Sequence, residues 1–431
     1  MSKLPEFTDF ASVAAHLRGL GFFYWDLSLE RIGRTLHWLE DLVPAMQRRP
    51  AAAHIVGTNG KGSTATFLAA LGRAHGLRAG LYTSPHFLSV RERILVDGRL
   101  LPEDEWVVCA NFVRQAGGES LTYFEFVTAL AAVAFARAGV DLAVWEAGLG
   151  ARSDAVTALP VDLVLFTPIG LDHENILGEG LAAIARDKAD ALVAGRGIEA
   201  AVTAGQEPAV LEILQHAAER LGCPLLTPSE VIVWPEGARL GLAGAHQQDN
   251  AYLALAGWRW LVGRFGFADA EARRLDGLRR AFIPGRLQFI PSAPERGLPA
   301  LILDGAHNAH GLRALHSALR QMGIRPGAVI FSALADKDMR AAGAALSALT
   351  AGPIFVPPVQ DNPRAAKSED LVALLGPRAQ PAADLNAALS LAAAATSDPI
   401  LVCGSLYLLG EFYTLHPEYL EPSPFTPMIN N

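Results

Sequence analysis

The run Gly57-Thr58-Asn59-Gly60-Lys61-Gly62-Ser63 carries the sharpest chemical signal in this 431-residue chain. Glycines let a backbone wrap phosphate oxygens, a helix starting there aims its N–H groups at them, and a lysine adds positive charge. The run departs from the strict G-x-x-x-x-G-K-[ST] spacing, because Ile55 stands where the first glycine belongs and Gly62 separates Lys61 from Ser63. A glycine-rich turn with an incidental lysine is the plainer reading. The apolar run before it and the helix pattern after it favour a phosphate loop. Open parallel sheets bind ligands beyond the carboxyl ends of their strands. Polar residues stand at three further such ends: Thr83-Ser84-Pro85-His86, Glu146 followed by Gly148-Leu149-Gly150, and Asp172-His173-Glu174. A hydroxyl, a carboxylate and an imidazole beside a triphosphate suit Mg²⁺, which takes few protein ligands there.

Lys188, in Ile184-Ala185-Arg186-Asp187-Lys188-Ala189, reads from composition as a surface lysine beside a carboxylate. Later in the chain, Asp304-Gly305-Ala306-His307-Asn308 follows one apolar run and Gly404-Ser405 follows another. His307 and His310 are three apart without a third ligand, so substrate or nucleotide contact is expected there rather than metal. Asp336-Lys337-Asp338 reads equally as a strand-end group or a solvated turn. His246-Gln247-Gln248-Asp249-Asn250 is by itself only a helix-start signal.

The elements that must hold these groups alternate. Leu27 to Leu42 has helical apolar spacing, and Ser63 to His75 predicts a helix closed by Gly76. Ala53–Val56, Ala79–Thr83, Leu142–Glu146 and Leu163–Thr167 read as strands buried on both faces. Pro284 to Pro299 holds four prolines and reads as a linker. Beyond it, strands are expected at Leu301–Asp304, Ala328–Ser332, Ile354–Pro357 and Ile400–Cys403, with Ala-rich helices at Leu312–Met322 and Ala341–Leu349. This is a doubly wound α/β pattern, divided as residues 1–290 and 297–431.

Hydrophobic residues make up 51% and charged residues 19%, which excludes a disordered or coiled-coil chain. A net charge of −8 argues against nucleic acid as partner. No apolar run reaches the roughly 18 residues of a membrane span, and no secretory signal is read at the amino end. The scattered Cys109, Cys223 and Cys403 form no CxxC pair, so the cytoplasm is the expected compartment.

In this order the motifs resemble the folylpolyglutamate synthase/dihydrofolate synthase family of the Mur ligase superfamily. The carrying segments are DLSLERI, HIVGTNGKGST, LYTSPH, RERI, TYFEF, EAGLGARSDA, GLDHENILG, IARDKA, HQQDNA, PGRL, DGAHN, ADKD and CGSLYLLGE, spread from about Leu27 to Leu409. The resemblance implies a P-loop Mur-ligase-type central domain with a smaller Rossmann-like C-terminal domain. It implies an ATP-dependent, amide-forming ligase of folate and one-carbon metabolism, adding L-glutamate to dihydropteroate, reduced folates or both through an acyl phosphate. By the same resemblance Gly57, Thr58, Asn59, Gly60, Lys61, Gly62 and Ser63 hold ATP, with Asn250, Arg286 and Asp304 as further contacts. Ser84, Glu146 and His173 match Mg²⁺ ligands, and Lys188 matches a lysine that carries a carbamate and so bridges to a second Mg²⁺. This reverses the surface reading of Lys188. Thr122, Tyr123, Phe124 and Glu125, and Ser153, Asp154 and Ala155, match the segments that hold the pterin part, and Leu27 and Ser28 are further expected substrate-binding residues. His307 and Ser405 lie by resemblance near the incoming glutamate, and Lys61, Lys188 and His307 are the expected catalytic residues. The implied partners are small molecules acting on a monomer.

The chain also departs from that pattern. The family's GLGGRLDATN reads GLGARSDAVT, changing Ala151, Ser153, Val156 and Thr157; Asp190 replaces a glycine after Lys-Ala, and Ala309 a proline. Two other readings are available. A Mur-type ligase for another small carboxylic acid is one, although the 56 residues before Gly57 are too few for the UDP-sugar domain of peptidoglycan ligases. A nucleotide-binding protein without catalysis is the other; it predicts loss of metal ligands, yet Ser84, Glu146, His173 and Lys188 are all present.

Overall fold

The computed structural model describes residues 6–21, 28–335, 339–360, 362 and 364–421. Leu27 and Asp336-Lys337-Asp338 lie outside the described residues. The chain forms two compact units, Met1–Ala238 with Gln248–Ala281, and Arg239–Gln247 with Phe282–Asn431.

Among its described residues the first unit is built on eight strands: β1 (Ala51–Val56), β2 (Ala79–Tyr82), β3 (Ile94–Val96), β4 (Arg99–Leu100), β5 (Leu142–Glu146), β6 (Leu163–Phe166), β7 (Ala200–Thr203) and β8 (Leu225–Leu226). Their order is β4-β3-β2-β5-β1-β6-β7-β8. β3 and β4 are antiparallel to their neighbours and the rest run parallel. Every residue of β1 is buried, as in a sheet covered on both faces. β1 lies between β5 and β6, with Ile55 opposite Glu146 and Val56 opposite Phe166. The chain passes from β1 to one side and later returns to the other, so a crevice opens beyond β1. On one face the helix Tyr123–Ala138 packs Phe126 and Phe135 into a core with Tyr82, Trp106 and Trp145.

The helix after β1 starts at Lys61, two residues ahead of the expected Ser63, because Gly60 takes a left-handed φ of +86° and turns the chain at once. The helix expected from Leu27 starts at Glu30.

Among the described residues the second unit has six strands: β9 (Gln288–Ile290), β10 (Leu301–Leu303), β11 (Ala328–Phe331), β12 (Ile354–Val356), β13 (Ala379–Pro381) and β14 (Ile400–Cys403). Their order is β13-β12-β11-β14-β10-β9. The proline-rich stretch is therefore more than a linker. Gln288 and Ile290 are buried alternately with the half-buried Phe289, and β9 pairs antiparallel with β10 as an edge strand, Ile290 opposite Leu301. β13 was not anticipated: three residues ending in proline give no periodic signal, and an edge tolerates them. Among the described residues no helix is long and apolar enough to cross a membrane.

Candidate active site

The phosphate-loop candidate is tied to the end of β6. Gly57, at φ +154°, lies so close to Thr167 that any side chain there would collide with its hydroxyl. Thr58 and Asn59 donate their N–H groups to the Pro168 carbonyl at 3.0 and 3.3 Å. The Thr58 hydroxyl accepts from the Gly170 N–H at 3.0 Å. On the other side, a Cβ on Gly60 would run into the Asn250 side chain. Asn250 is buried on the helix His246–Phe265, so this sequence-predicted residue does touch the loop.

Two lysines converge on one carbonyl. Lys61 Nζ donates to the Gly57 and Thr58 oxygens at 3.1 Å each, and Lys188 Nζ donates to the Gly57 oxygen at 2.9 Å. Lys188 is 4% exposed, on the buried face that Ile184, Ala185, Ala189 and Leu192 give the helix Leu181–Ala194. The composition-based surface reading of Lys188 is thus wrong, because position on the helix, not residue type, decides burial. Burial first, and the Lys61 charge second, pull its pKa down to about 8, against Asp187, Asp154 and Asp172.

Glu146 closes β5 and is buried; its Oε2 accepts the Ser84 N–H at 3.0 Å. A Cβ on Gly62 would stand 3.3 Å from Glu146 Oε1, so the carboxylate lies against the first turn of the phosphate-loop helix. His173 sits in the loop after β6 at a left-handed φ of +54°, with Nε2 3.7 Å from the Asp172 carboxylate. Among the described residues no three His, Cys, Asp or Glu cluster as a self-sufficient metal site. A carboxylate and a hydroxyl-bearing residue joined beside a phosphate loop are the hard oxygen donors that fit Mg²⁺ or Mn²⁺ sharing a nucleotide's phosphates.

Of the segments expected to take the acceptor, those of Phe124 and Asp154 reach the turn just past Glu146. Thr122 and Glu125 form a reciprocal cap, with the Thr122 N–H donating to Glu125 at 2.7 Å and Arg31 donating to the same carboxylate at 3.2 Å. Tyr123 is buried under the Arg93 guanidinium, 5.3 Å from its ring centre. The Phe124 ring fills the space beside Gly148, where a Cβ would stand 2.5 Å from Cζ. Buried Asp154 accepts the Gly148, Leu149 and Val156 N–H groups at 2.8, 2.9 and 3.0 Å. Burial pushes its carboxyl up to about 6, against those N–H groups and the Lys61 charge. Ala155 is buried and Ser153 half-buried beside it, while the Ser28 hydroxyl accepts the Glu30 N–H at 3.2 Å.

The Lys188 helix fastens the same loop. Asp187 accepts the Ala151 N–H at 2.8 Å, and Arg152 donates to Asp190 at 2.5 Å. The Thr157 hydroxyl donates to the Ala151 carbonyl at 2.7 Å. Thr157 and Asp190, two departures from the family pattern, therefore both hold the loop's shape. Arg31 and Asp187 were not singled out from sequence. Asp187 was reachable, because it neighbours Lys188 in a helical pattern.

In the second unit, Asp304 follows directly on β10 and accepts the Leu287 and Ala306 N–H groups at 2.9 and 2.8 Å. Burial raises its pKa and the Arg286 charge lowers it. Arg286 itself is exposed. His307 Nδ1 lies 2.8 Å from the Gly305 carbonyl, which makes it the protonated ring nitrogen. Ser405 is buried and caps the helix Leu406–Leu415, its hydroxyl accepting the Tyr407 N–H at 3.1 Å.

Residues 285–406 match the family model for the Mur ligase, glutamate ligase domain. Across 415 residues the chain is 31% identical to the dihydrofolate synthase/folylpolyglutamate synthase of Escherichia coli K12, covering 92% of this chain and 93% of that protein. The chain belongs to the dihydrofolate synthase/folylpolyglutamate synthase family. The solved structure of E. coli FolC in complex with DHPP and ADP superposes with a TM-score of 0.82 at 29% identity, over 96% of this chain and 99% of that one. The bifunctional folylpolyglutamate synthase/dihydrofolate synthase of Yersinia pestis CO92, complexed with AMPPNP and Mn, gives 0.81 at 30% identity, over 96% of this chain and all (100%) of the other. The chain spans about half the length (49% and 46%) of two haloarchaeal relatives, each named a probable bifunctional folylpolyglutamate synthase/dihydropteroate synthase. Membership in the dihydrofolate synthase/folylpolyglutamate synthase family, with its Mur-ligase-type α/β architecture, agrees with the fold class read from the sequence.

Proposed function

We propose that the protein is an ATP-dependent ligase that joins L-glutamate to dihydropteroate, to reduced folates, or to both, through an acyl phosphate. The observation that carries this is the convergence of Lys61 and Lys188 on the Gly57 carbonyl, next to Glu146 and a loop ordered by Asp154. Cations, carboxylate and acceptor loop thus share one end of one sheet.

The chemistry follows from the charges. A carboxylate is a poor acyl donor, so its oxygen first attacks the γ-phosphorus and ADP leaves. Lys61, freed from the loop carbonyls by a bound phosphate chain, would spread the charge of the transferring group. The glutamate amine then attacks the acyl carbon, its proton is lost, and phosphate leaves with the former carboxylate oxygen. Asp154 orders the loop on the acceptor side, and the exposed Arg286 and the Asp304 turn supply further ATP contacts, with His307 and Ser405 on the glutamate side. Divalent cations held by Ser84, Glu146 and His173, and by a carbamate on Lys188, would add charge neutralisation at the phosphates. The lowered pKa of Lys188 supports the carbamate, since only the neutral amine takes up CO₂. A cytoplasmic monomer acting on small molecules completes the reading.

The test is mass detection of added glutamate, with ATP and with dihydropteroate and tetrahydrofolate offered in parallel. Product from both gives a bifunctional enzyme, and product from one assigns a single activity. Nucleotide binding without either product would redirect the acceptor to another small carboxylic acid.

A further inference from the structure

Gln206 belongs to none of the motifs and stands just past the end of β7, one strand removed from the phosphate loop. Its side-chain amide makes three hydrogen bonds. Nε2 donates to the Thr167 carbonyl at 3.1 Å and to the Thr203 hydroxyl at 3.2 Å, and Oε1 accepts the Ile169 N–H at 3.0 Å. The amide's orientation is unambiguous, because the Ile169 N–H demands the oxygen. Gln206 thus clamps both flanks of Pro168.

What it clamps is the platform of the phosphate loop. The Thr167 N–H donates to the Val56 carbonyl at 2.8 Å, the Pro168 carbonyl receives Thr58 and Asn59, and Gly170 exchanges hydrogen bonds with the Thr58 hydroxyl. Gly57 packs against Thr167 so closely that a Cβ there would meet its hydroxyl. The same segment leads within four residues to His173, an expected metal ligand. We infer that Gln206 is a positioning residue for the nucleotide and metal site, setting the height of the Thr167–Gly170 segment on which the phosphate loop rests. This rests on the ATP-dependent reading above and adds a residue to it.

The experiment compares wild type with Gln206→Met, which keeps length and removes all three bonds, and Gln206→Glu, which keeps the acceptor but turns an anion toward the Thr167 carbonyl. Affinity for AMPPNP with Mg²⁺ is measured by calorimetry, alongside melting temperature and KM for glutamate. Both variants should bind AMPPNP about tenfold more weakly, roughly one hydrogen bond's net worth, with glutamate KM moved less than about twofold. Thr203→Val, which spares the bond to Thr167, should lose less than about threefold. Wild-type AMPPNP affinity in Gln206→Met would overturn the role, and so would an equal loss for glutamate. Failure of both Gln206 variants to fold would overturn it too, since the amide would then hold the fold and not the site. Wild-type protein that binds no nucleotide would remove the ligase reading itself, and the positioning role with it.

Discussion

Replacing Asp154 by alanine deletes one acceptor group and strands three donors. The carboxylate takes the Gly148, Leu149 and Val156 N–H groups, and two of these sit in the turn that carries the acceptor loop past Phe124. At about 1 kcal/mol net per hydrogen bond the loss is ~3 kcal/mol, and more if the N–H groups stay dry. For a unit of this size that is ~2–4 °C of melting temperature per kcal/mol, or about 6–12 °C. Asp154→Asn keeps one oxygen but turns an NH₂ toward an N–H, which costs about one bond. Its pH behaviour adds a sign. The folded carboxyl titrates near 6, above its ordinary 3.8. Between those values the folded chain holds a proton that the unfolded chain has released, so this group makes stability fall as pH rises through the window. The gap between Asp154→Asn and wild type should therefore be larger at pH 5 than at pH 7.5. The assay is thermal melting at both pH values, with KM for acceptor and for ATP. Asp154→Ala should raise acceptor KM at least about tenfold and leave ATP KM within about threefold. An alanine variant that melts with wild type and keeps its acceptor KM would show that Asp154 orders neither the turn nor the acceptor loop.

Other expectations are as concrete. Lys61→Ala should abolish ligation, since the transferring phosphoryl group loses its lysine; ligation at the wild-type rate would remove the phosphate-loop assignment. Lys188→Ala should inactivate and be partly restored by short carboxylic acids, and full activity without them would exclude a metal-bridging carbamate. Because burial lowers the Lys188 amine to about 8, reactivation of CO₂-stripped enzyme at a fixed concentration of dissolved CO₂ should speed up from pH 7 to 9 as the neutral amine accumulates; a flat profile would contradict this. Gly277→Val should destabilise by ~1–3 kcal/mol in denaturant melts, because a Cβ there would stand 2.9 Å from Leu71 Cα.

Much of this site was legible before the fold. Glycines at 57 and 60 mark positions where Thr167 and Asn250 leave no room for a side chain, and Glu146 closes an unmistakable buried strand. Lys188 was not legible from composition, because a lysine followed by Ala-Asp-Ala looks solvated until its helix is docked; only the resemblance placed it. The Thr157 and Asp190 departures could be seen but not interpreted, since their partners Ala151 and Arg152 are supplied by the loop's path. Gln206 left no trace at all: a glutamine between Gly205 and Glu207 reads as a turn, and its bonds to Thr167 and Ile169 span nearly 40 residues (39 and 37). β9 was hidden by the prolines around it, although its buried, half-buried, buried alternation is a strand's.

In the proposed reaction the acceptor's carboxylate is activated by phosphorylation. The direct measurement uses tetrahydrofolate or dihydropteroate labelled with ¹⁸O in the reacting carboxylate, with mass analysis of the phosphate released during ligation. An acyl-phosphate route predicts one ¹⁸O in each inorganic phosphate and ADP as the nucleotide product. Unlabelled phosphate, or label appearing in AMP, would rule out an acyl phosphate on this enzyme.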